Sequence, residues 1–570
     1  MAVPGSIRKR MLSRLRTLYG DGADAVCRRL CARLERFPAR GPALEDPGSR
    51  RLPFDERDAV LIAYGDSLRS PDEVPLAALR RFARARLGGL VSTIHLLPFF
   101  PYSSDDGFSV IDFHAVDLVL GGWADVAALG EDHRLVFDLV LNHISSRSAW
   151  FERYLAGEAP FEELAIVVAP GADLSAVTRP RALPLLSGYR RRDGSGVHLW
   201  TTFSSDQIDL NYASPEVLLA VVDVVLDYVE RGAAMLRLDA VAYLWKRIGT
   251  PCIHLPETHE VVRLLRDVLD AVAPDVALLT ETNVPHRENV SYFGDGRDEA
   301  QLVYNFTLPP LVLHALLTGS AEHLTRWART LEAPSEATTF FNFTASHDGV
   351  GVRPLEGILS ADEIERLAEL TRRRGGRVSC RSTPEGGESP YELNVTYVDA
   401  LRGTDDPAGD ALHAARFIAS QAVALCLPGV PALYIGSLLG SRNWDEGVRR
   451  LGHPRAVNRE KLELSRVEAE LDDPGSLRHR IFGGLSRLLR ARAANAAFHP
   501  NAAMEVLALD PRCLAVRRGC RAGDTVLALT NVSAERLELS VPTGRDVLGG
   551  PDATTGKLVL PPYGVAWLAM

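Results

Sequence analysis

Two charged side chains interrupt an apolar run at Met235–Lys246, MLRLDAVAYLWK: Arg237 and Asp239. In an extended strand, residues two apart face the same side. Burying charge is costly unless the charge is paired or at work. Read alone, Arg237 and Asp239 form a structural ion pair. Three other segments end in similar residues. RLVFDLVLNH ends in Asn142 and His143, VALLTE ends in Glu281, and TTFFNFTASHD ends in His347 and Asp348. An ion pair does not account for those. Carboxylates serve as nucleophiles and as general acids or bases, and imidazoles and guanidiniums orient them and offset their charge.

The elements that must bring these residues together are short apolar runs, read as buried strands. They are Ala59–Tyr64, Val91–Phe99, Arg134–His143, Ala233–Ala240, Val276–Glu281, Leu302–Phe306, Thr338–Asp348 and Val430–Gly436. Helical periodicity separates most of them, as in Pro215–Gly232 and Glu257–Ala273. Eight strands alternating with helices predict an α/β fold, a (β/α)8 TIM barrel, whose active site lies at the C-terminal strand ends. The polar residues above fall there. Residues 51–490 form the barrel, with loop-inserted subdomains at about 145–205 after strand three and 349–400 after strand seven. Long loops on that face shape the substrate site. Residues 491–570 alternate as short strands with Asn, Gly and Pro turns and predict a C-terminal β-sandwich.

The 570 residues carry a net charge of −9, with 46% hydrophobic and 24% charged residues. That composition suits a globular enzyme and offers no basic footprint for nucleic acid or a membrane surface. No run is apolar enough to span a bilayer. Residues 1–50 are basic and amphipathic, like a transit peptide, but their acidic residues and continuing helical period favour a folded helical extension. Seven scattered cysteines, among them Cys27, Cys31 and Cys520, include no CxxC pair. A reduced, cytoplasmic setting follows from that usage. Cys27 and Cys31, four apart on a helix, read as packing. His95, in TIHLLPF, reads as a core histidine. Trp245 reads as packing; Trp200 does too, although its loop position leaves a sugar-platform role open.

The four segments resemble the motifs of the α-amylase-type glycoside hydrolases. DLVLNH (Asp138–His143), LRLDAVAYLWK (Leu236–Lys246), LLTE (Leu278–Glu281) and TASHD (Thr344–Asp348) occur in that family's order. The resemblance runs from about Ala59 to the C-terminus. It implies a retaining α-glucosyl enzyme with Asp239 as nucleophile, Glu281 as general acid and base, and Asp348 as transition-state stabiliser. The two reacting carboxyls would lie roughly 5–5.5 Å apart. Arg237 would keep Asp239 ionised, and His143 and His347 would donate to the glucosyl ring. Asn142 often helps hold a structural calcium in such enzymes, but the subfamily matched below generally lacks it, so no metal is expected.

IHLLPFFPYSSDDGFSVIDF (Ile94–Phe113), LPPLVLHAL, HDGVGV and PGVPALYIGSLLG resemble the sucrose-phosphorylase subfamily. There, inorganic phosphate is the co-substrate and takes the place of water; no cofactor is implied. The resemblance implies that Asp105 and Arg459 grip the far side of the ring, Phe203 packs against the glucosyl-enzyme and Tyr243 lines the site. Arg181, in TRPR, and Tyr391, in SPYELN, would serve phosphate. The acceptor loop departs from the sucrose enzymes, with Ser389 and Glu392 at the acceptor positions. Arg372, Arg373, Arg374, Arg377 and Arg381 precede them, and arginines favour an anionic acceptor. That loop, the WKRIGTPCIHLPETH segment and the helical extension are more similar to the branch acting on 2-O-α-glucosylglycerate. The expected partners are therefore a small sugar substrate and phosphate, with the chain a monomer or homodimer. Sucrose 6'-phosphate, sucrose and glucosylglycerol are the competing donors. A hydrolase or transglucosidase, or a non-catalytic amylase-like binding protein, are remoter alternatives.

Overall fold

The eight apolar runs close into a parallel barrel. Its strands are β1 (Val60–Ala63), β2 (Thr93–Leu96), β3 (Arg134–Leu139), β4 (Ala233–Leu238), β5 (Ala277–Thr280), β6 (Leu302–Tyr304), β7 (Thr339–Asn342) and β8 (Val430–Tyr434). Each pairs with its neighbours in sequence, and β8 closes on β1 through Val60 opposite Ala432. Parallel strands buried on both faces read as continuous apolar runs, and VLIA of β1 is buried at every position. This computed structural model describes residues 2–181, 183–382, 387–403, 410–519 and 523–570. Cys520 lies outside them.

Helices cover the barrel. Pro215–Glu230 and Pro256–Val272 start with proline at the first turn, where its missing N–H costs nothing. The insertion after β3 carries a helix, Ala149–Ala156, and a hairpin of Leu186–Arg190 with Gly196–Trp200. The insertion after β7 carries the helix Ala361–Arg373 and a three-stranded sheet of Val350–Gly351, Glu388–Asn394 and Arg377–Ser382. The helix Leu477–Ala493 crosses residue 490, and the terminal β strands begin at Ala503. A five-stranded and a two-stranded sheet there enclose a second apolar cluster that includes Leu527, Leu539, Leu558 and Leu568.

The N-terminal segment folds as α1 (Gly5–Tyr19) and α2 (Ala23–Arg36). Ile7, Met11 and Leu15 form one buried stripe at four-residue spacing. Each such side chain contributes roughly 1.5–3 kcal/mol on burial. The polar side pairs with the helix Pro256–Val272: Arg10 lies 2.6 Å from Asp267 and 3.1 Å from Asp270. Arg50 and Arg266 share the buried Asp270, at 2.7 Å and 3.0 Å.

Candidate active site

β3, β4 and β5 set the first layer. Arg237 donates to Asp239 Oδ1 at 2.9 Å and also to Asp138 on β3. Asp138 in turn bonds His95 Nε2 at 2.7 Å, and all of these groups lie away from solvent. His95 is thus a buried histidine with a structural bond, and that bond orients the carboxylate that orients Arg237. Glu281, at the end of β5, accepts the Ala240 amide at 3.0 Å, which places it beside Asp239. Ala240 has φ +49, so the chain turns sharply immediately after Asp239.

Burial raises the carboxyls of both Asp239 and Glu281, and Arg237 opposes it at each. The sequence expectation was a lowered Asp239. Burial wins because Arg237 divides its charge between Asp138 and Asp239. Neighbouring raised carboxyls share protons. Asp239 meets the Arg237 guanidinium and Glu281 accepts the Ala240 amide, and each contact favours the ionised form of the group it meets.

Asp348 behaves oppositely. Burial works against its charge, but the guanidiniums of Arg455 and Arg459 hold its carboxyl well below the usual range. Arg455 Nη1 stands 2.5 Å from Asp348 Oδ1, and its other edge grips Glu392 at 2.7 and 3.0 Å. Burial keeps His347 neutral, down at about 3. Its ring stacks on Phe108 at 4.8 Å. In HDGVGV, a Cβ on Gly349 would run into the Leu393 carbonyl, so the motif's first glycine is required by close packing.

One cavity gathers Asp105, His143, Arg181, Phe203, Asp239, Tyr243, Glu281, His347, Asp348 and Tyr391 among its lining residues. Arg237 and Arg459 stand behind its wall. Arg459 has no exposed side-chain surface and bonds Asp106 at 2.7 Å, Asp105 at 3.3 Å and Asp348 at 3.5 Å. It braces the carboxylates that were expected to work beside it and does not itself reach the cavity. Asp105 and Asp106 take φ +53 and +48, a strained pair held by Arg459. Arg181, with Arg459 and Arg455, outweighs burial at Asp105 and brings it to about 2. His143 was expected to donate to a sugar, but its Nε2 donates to the Phe108 carbonyl at 2.9 Å and its Nδ1 meets Asn142. Phe203 and Tyr243 meet edge to face at 5.6 Å. Trp200 is buried and donates to Thr202, so it is no sugar platform.

The arginine-rich segment does not line the cavity. Arg372 and Arg373 pair with Glu365 and Glu369 of their own helix. Arg374 donates to the Ala400 carbonyl, Arg377 pairs with Asp445, and Arg381 pairs with Glu356. The sequence pattern missed Gln207, Asn283 and Arg455 as lining residues, whereas Glu392, expected at an acceptor position, does line the cavity. Arg455 sits in a short 3-10 turn, Pro454–Asn458, and no spacing in the sequence marked it. Beneath His143, Lys246 Nζ joins Asn142 Oδ1 at 2.9 Å to Asp209 Oδ2 at 2.5 Å. An ammonium of the chain itself therefore occupies the place where Asn142 would offer its oxygen to a cation.

The family model "Alpha amylase, catalytic domain" matches residues 87–349. Glucosylglycerate phosphorylase of Escherichia coli (strain K12) is 48% identical over 91% of this chain and 93% of its own length. The chain belongs to the α-amylase-type family, in its sucrose-phosphorylase subfamily. Sucrose phosphorylase of Agrobacterium vitis, in the same subfamily, is 31% identical over 79% of this chain and 90% of its own. The crystal structure of sucrose 6F-phosphate phosphorylase from Thermoanaerobacter thermosaccharolyticum superposes with a TM-score of 0.72. It is 25% identical and covers 84% of this chain and 94% of that one. The α-amylase-type fold thus extends over the barrel and most of what surrounds it.

Proposed function

We propose that this chain is a retaining α-glucosyl phosphorylase. It converts 2-O-α-glucosylglycerate and inorganic phosphate reversibly to α-glucose 1-phosphate and glycerate. The observation that carries this reading is the 48% identity to a glucosylglycerate phosphorylase along nearly the whole chain, against 31% to a sucrose phosphorylase.

The site supports a double displacement. Asp239 attacks the anomeric carbon while Glu281 gives its proton to the glycosidic oxygen. The carbon–oxygen bond breaks, glycerate departs and a β-glucosyl ester of Asp239 remains. A phosphate oxygen then attacks the same carbon, Glu281 recovers the proton and the ester bond breaks. Asp348, kept ionised by Arg455, stabilises the positive charge that develops on the sugar. Phosphate is the co-substrate, and these side chains suffice for both steps. We further propose that the chain works in the cytoplasm, as a monomer or homodimer.

The acceptor is tested in the reverse direction. Glucose 1-phosphate is supplied with glycerate, fructose, fructose 6-phosphate or glycerol, and phosphate release is followed. Fastest release with glycerate supports the reading. Fastest release with another acceptor retains the double displacement and overturns the acceptor.

A further inference from the structure

Asp206 touches none of the reacting groups and does not line the cavity. Its half-buried carboxylate is nevertheless where four serine hydroxyls meet. Oδ2 accepts Ser103 and Ser104, each at 2.5 Å, and Oδ1 accepts Ser146 at 2.5 Å. The Ser109 hydroxyl lies between Oδ2, at 2.9 Å, and the Asp206 carbonyl, at 2.8 Å. Ser145 stands 2.5 Å from Ser103 behind them. Among the described residues no ammonium or guanidinium pairs with Asp206. The hydroxyls overcome burial and hold its carboxyl below the usual range.

These bonds join three segments. Ser103, Ser104 and Ser109 belong to the loop after β2, Ser145 and Ser146 follow β3, and Asp206 lies on the return of the insertion. A serine hydroxyl sits one bond beyond Cβ, so a bond to it fixes the backbone. A guanidinium at the end of a long, mobile chain fixes it far less. Each segment also carries part of one cavity wall. Asp105 and Phe108 lie among the first serines, His143 precedes Ser145, and Phe203 and Gln207 lie on either side of Asp206. On the cavity side the same segments meet again, where the Phe108 carbonyl accepts His143 at 2.9 Å and Gln207 at 3.3 Å. The left-handed pair Asp105–Asp106 falls between Ser104 and Ser109. Such a strained pair persists only when its surroundings hold it. Arg459 holds its side chains, and Asp206 holds the chain on either flank. On the acceptor side, Tyr391 and Asn283 come from segments after β7 and β5, which none of these bonds reaches.

We propose that Asp206 is a positioning residue. Its carboxylate clasps three loops through serine hydroxyls and so holds the wall of Asp105, Phe108, His143 and Phe203 against the glucosyl ring. The identity of that ring rests on the proposed function. The clasp acts through the wall residues and meets neither the substrate nor the carboxyls of Asp239 and Glu281.

The test titrates the resting enzyme with glucose by calorimetry, well below the melting temperature of each variant. Asp206→Ala frees all three segments, and its Kd for glucose should rise about tenfold, as expected when polar contacts to a ligand are displaced. Asp206→Asn keeps one accepting oxygen and should lose less. Ser104→Ala combined with Ser146→Ala removes one hydroxyl from each carboxylate oxygen. It should weaken glucose in the same direction, and it decides the matter if Asp206→Ala does not fold. A merely structural role lowers the melting temperature or the active fraction and leaves the Kd of the folded enzyme in place. Unchanged glucose affinity in the folded variants therefore overturns the inference, even where kcat falls. Wild type that neither binds glucose nor releases phosphate from glucose 1-phosphate refutes the proposed function itself, a result distinct from these.

Discussion

Arg455 stands 2.5 Å from the carboxylate of Asp348, and with its other edge it holds Glu392. The guanidinium sets both the position and the charge of the group expected to stabilise the transition state. Burial alone would raise Asp348, and Arg455 leads the charges that lower it. Activity that needs Asp348 ionised persists as pH falls until that low value is approached. Arg455→Lys keeps a charge but loses the two-edged grip. Its kcat should fall about tenfold or more. Its acid limb, which the Asp239–Glu281 pair sets, should stay close to that of wild type. A pH profile of kcat against wild type reads both effects.

Asp239 and Glu281 are each raised by burial, and one proton serves the pair. The active form has Asp239 ionised and Glu281 protonated. Below it a second proton joins; above it the single proton leaves. The profile of kcat/KM for glucosylglycerate should therefore be bell-shaped, with both limbs above the pH near 4 where ordinary carboxyls titrate.

The acid role of Glu281 is separable from its place in the fold. Glu281→Ala should lose about 10³-fold or more with glucosylglycerate, whose leaving group needs a proton. With α-glucosyl fluoride, which leaves as fluoride without that help, formation of the Asp239 ester should fall far less. Asp239→Asn should lose both reactions. Fluoride release measured beside glycerate release distinguishes the two residues.

Asp270 binds Arg50, Arg266 and Arg10 at 2.7–3.1 Å beneath the N-terminal helices. Asp270→Ala leaves buried guanidiniums uncompensated and should cost about 3–5 kcal/mol in urea unfolding. Arg33→Ala, which breaks an exposed pair with Asp223, should cost at most about 1 kcal/mol.

The barrel was legible because a parallel sheet buried on both faces leaves eight apolar runs in the sequence, and all eight form its strands. The catalytic candidates were legible because each ends such a run. What escaped was set by tertiary packing. Arg455, in a short turn after β8, meets Glu392, on a strand of the insertion after β7, and that meeting follows no sequence period. The arginine-rich segment misled for the opposite reason. Arg373 lies four residues after Glu369 on one helix, so its charge is spent locally. Asp209, which holds Lys246, lies in an insertion that carries no motif of its own.

The first experiment is to offer the enzyme 2-O-α-glucosylglycerate with and without phosphate and to follow the products by NMR. A retaining phosphorylase gives α-glucose 1-phosphate and glycerate in equal amounts, formed only when phosphate is present and without the β anomer. Free glucose released at the same rate without phosphate, or β-glucose 1-phosphate as the first product, would contradict that reading.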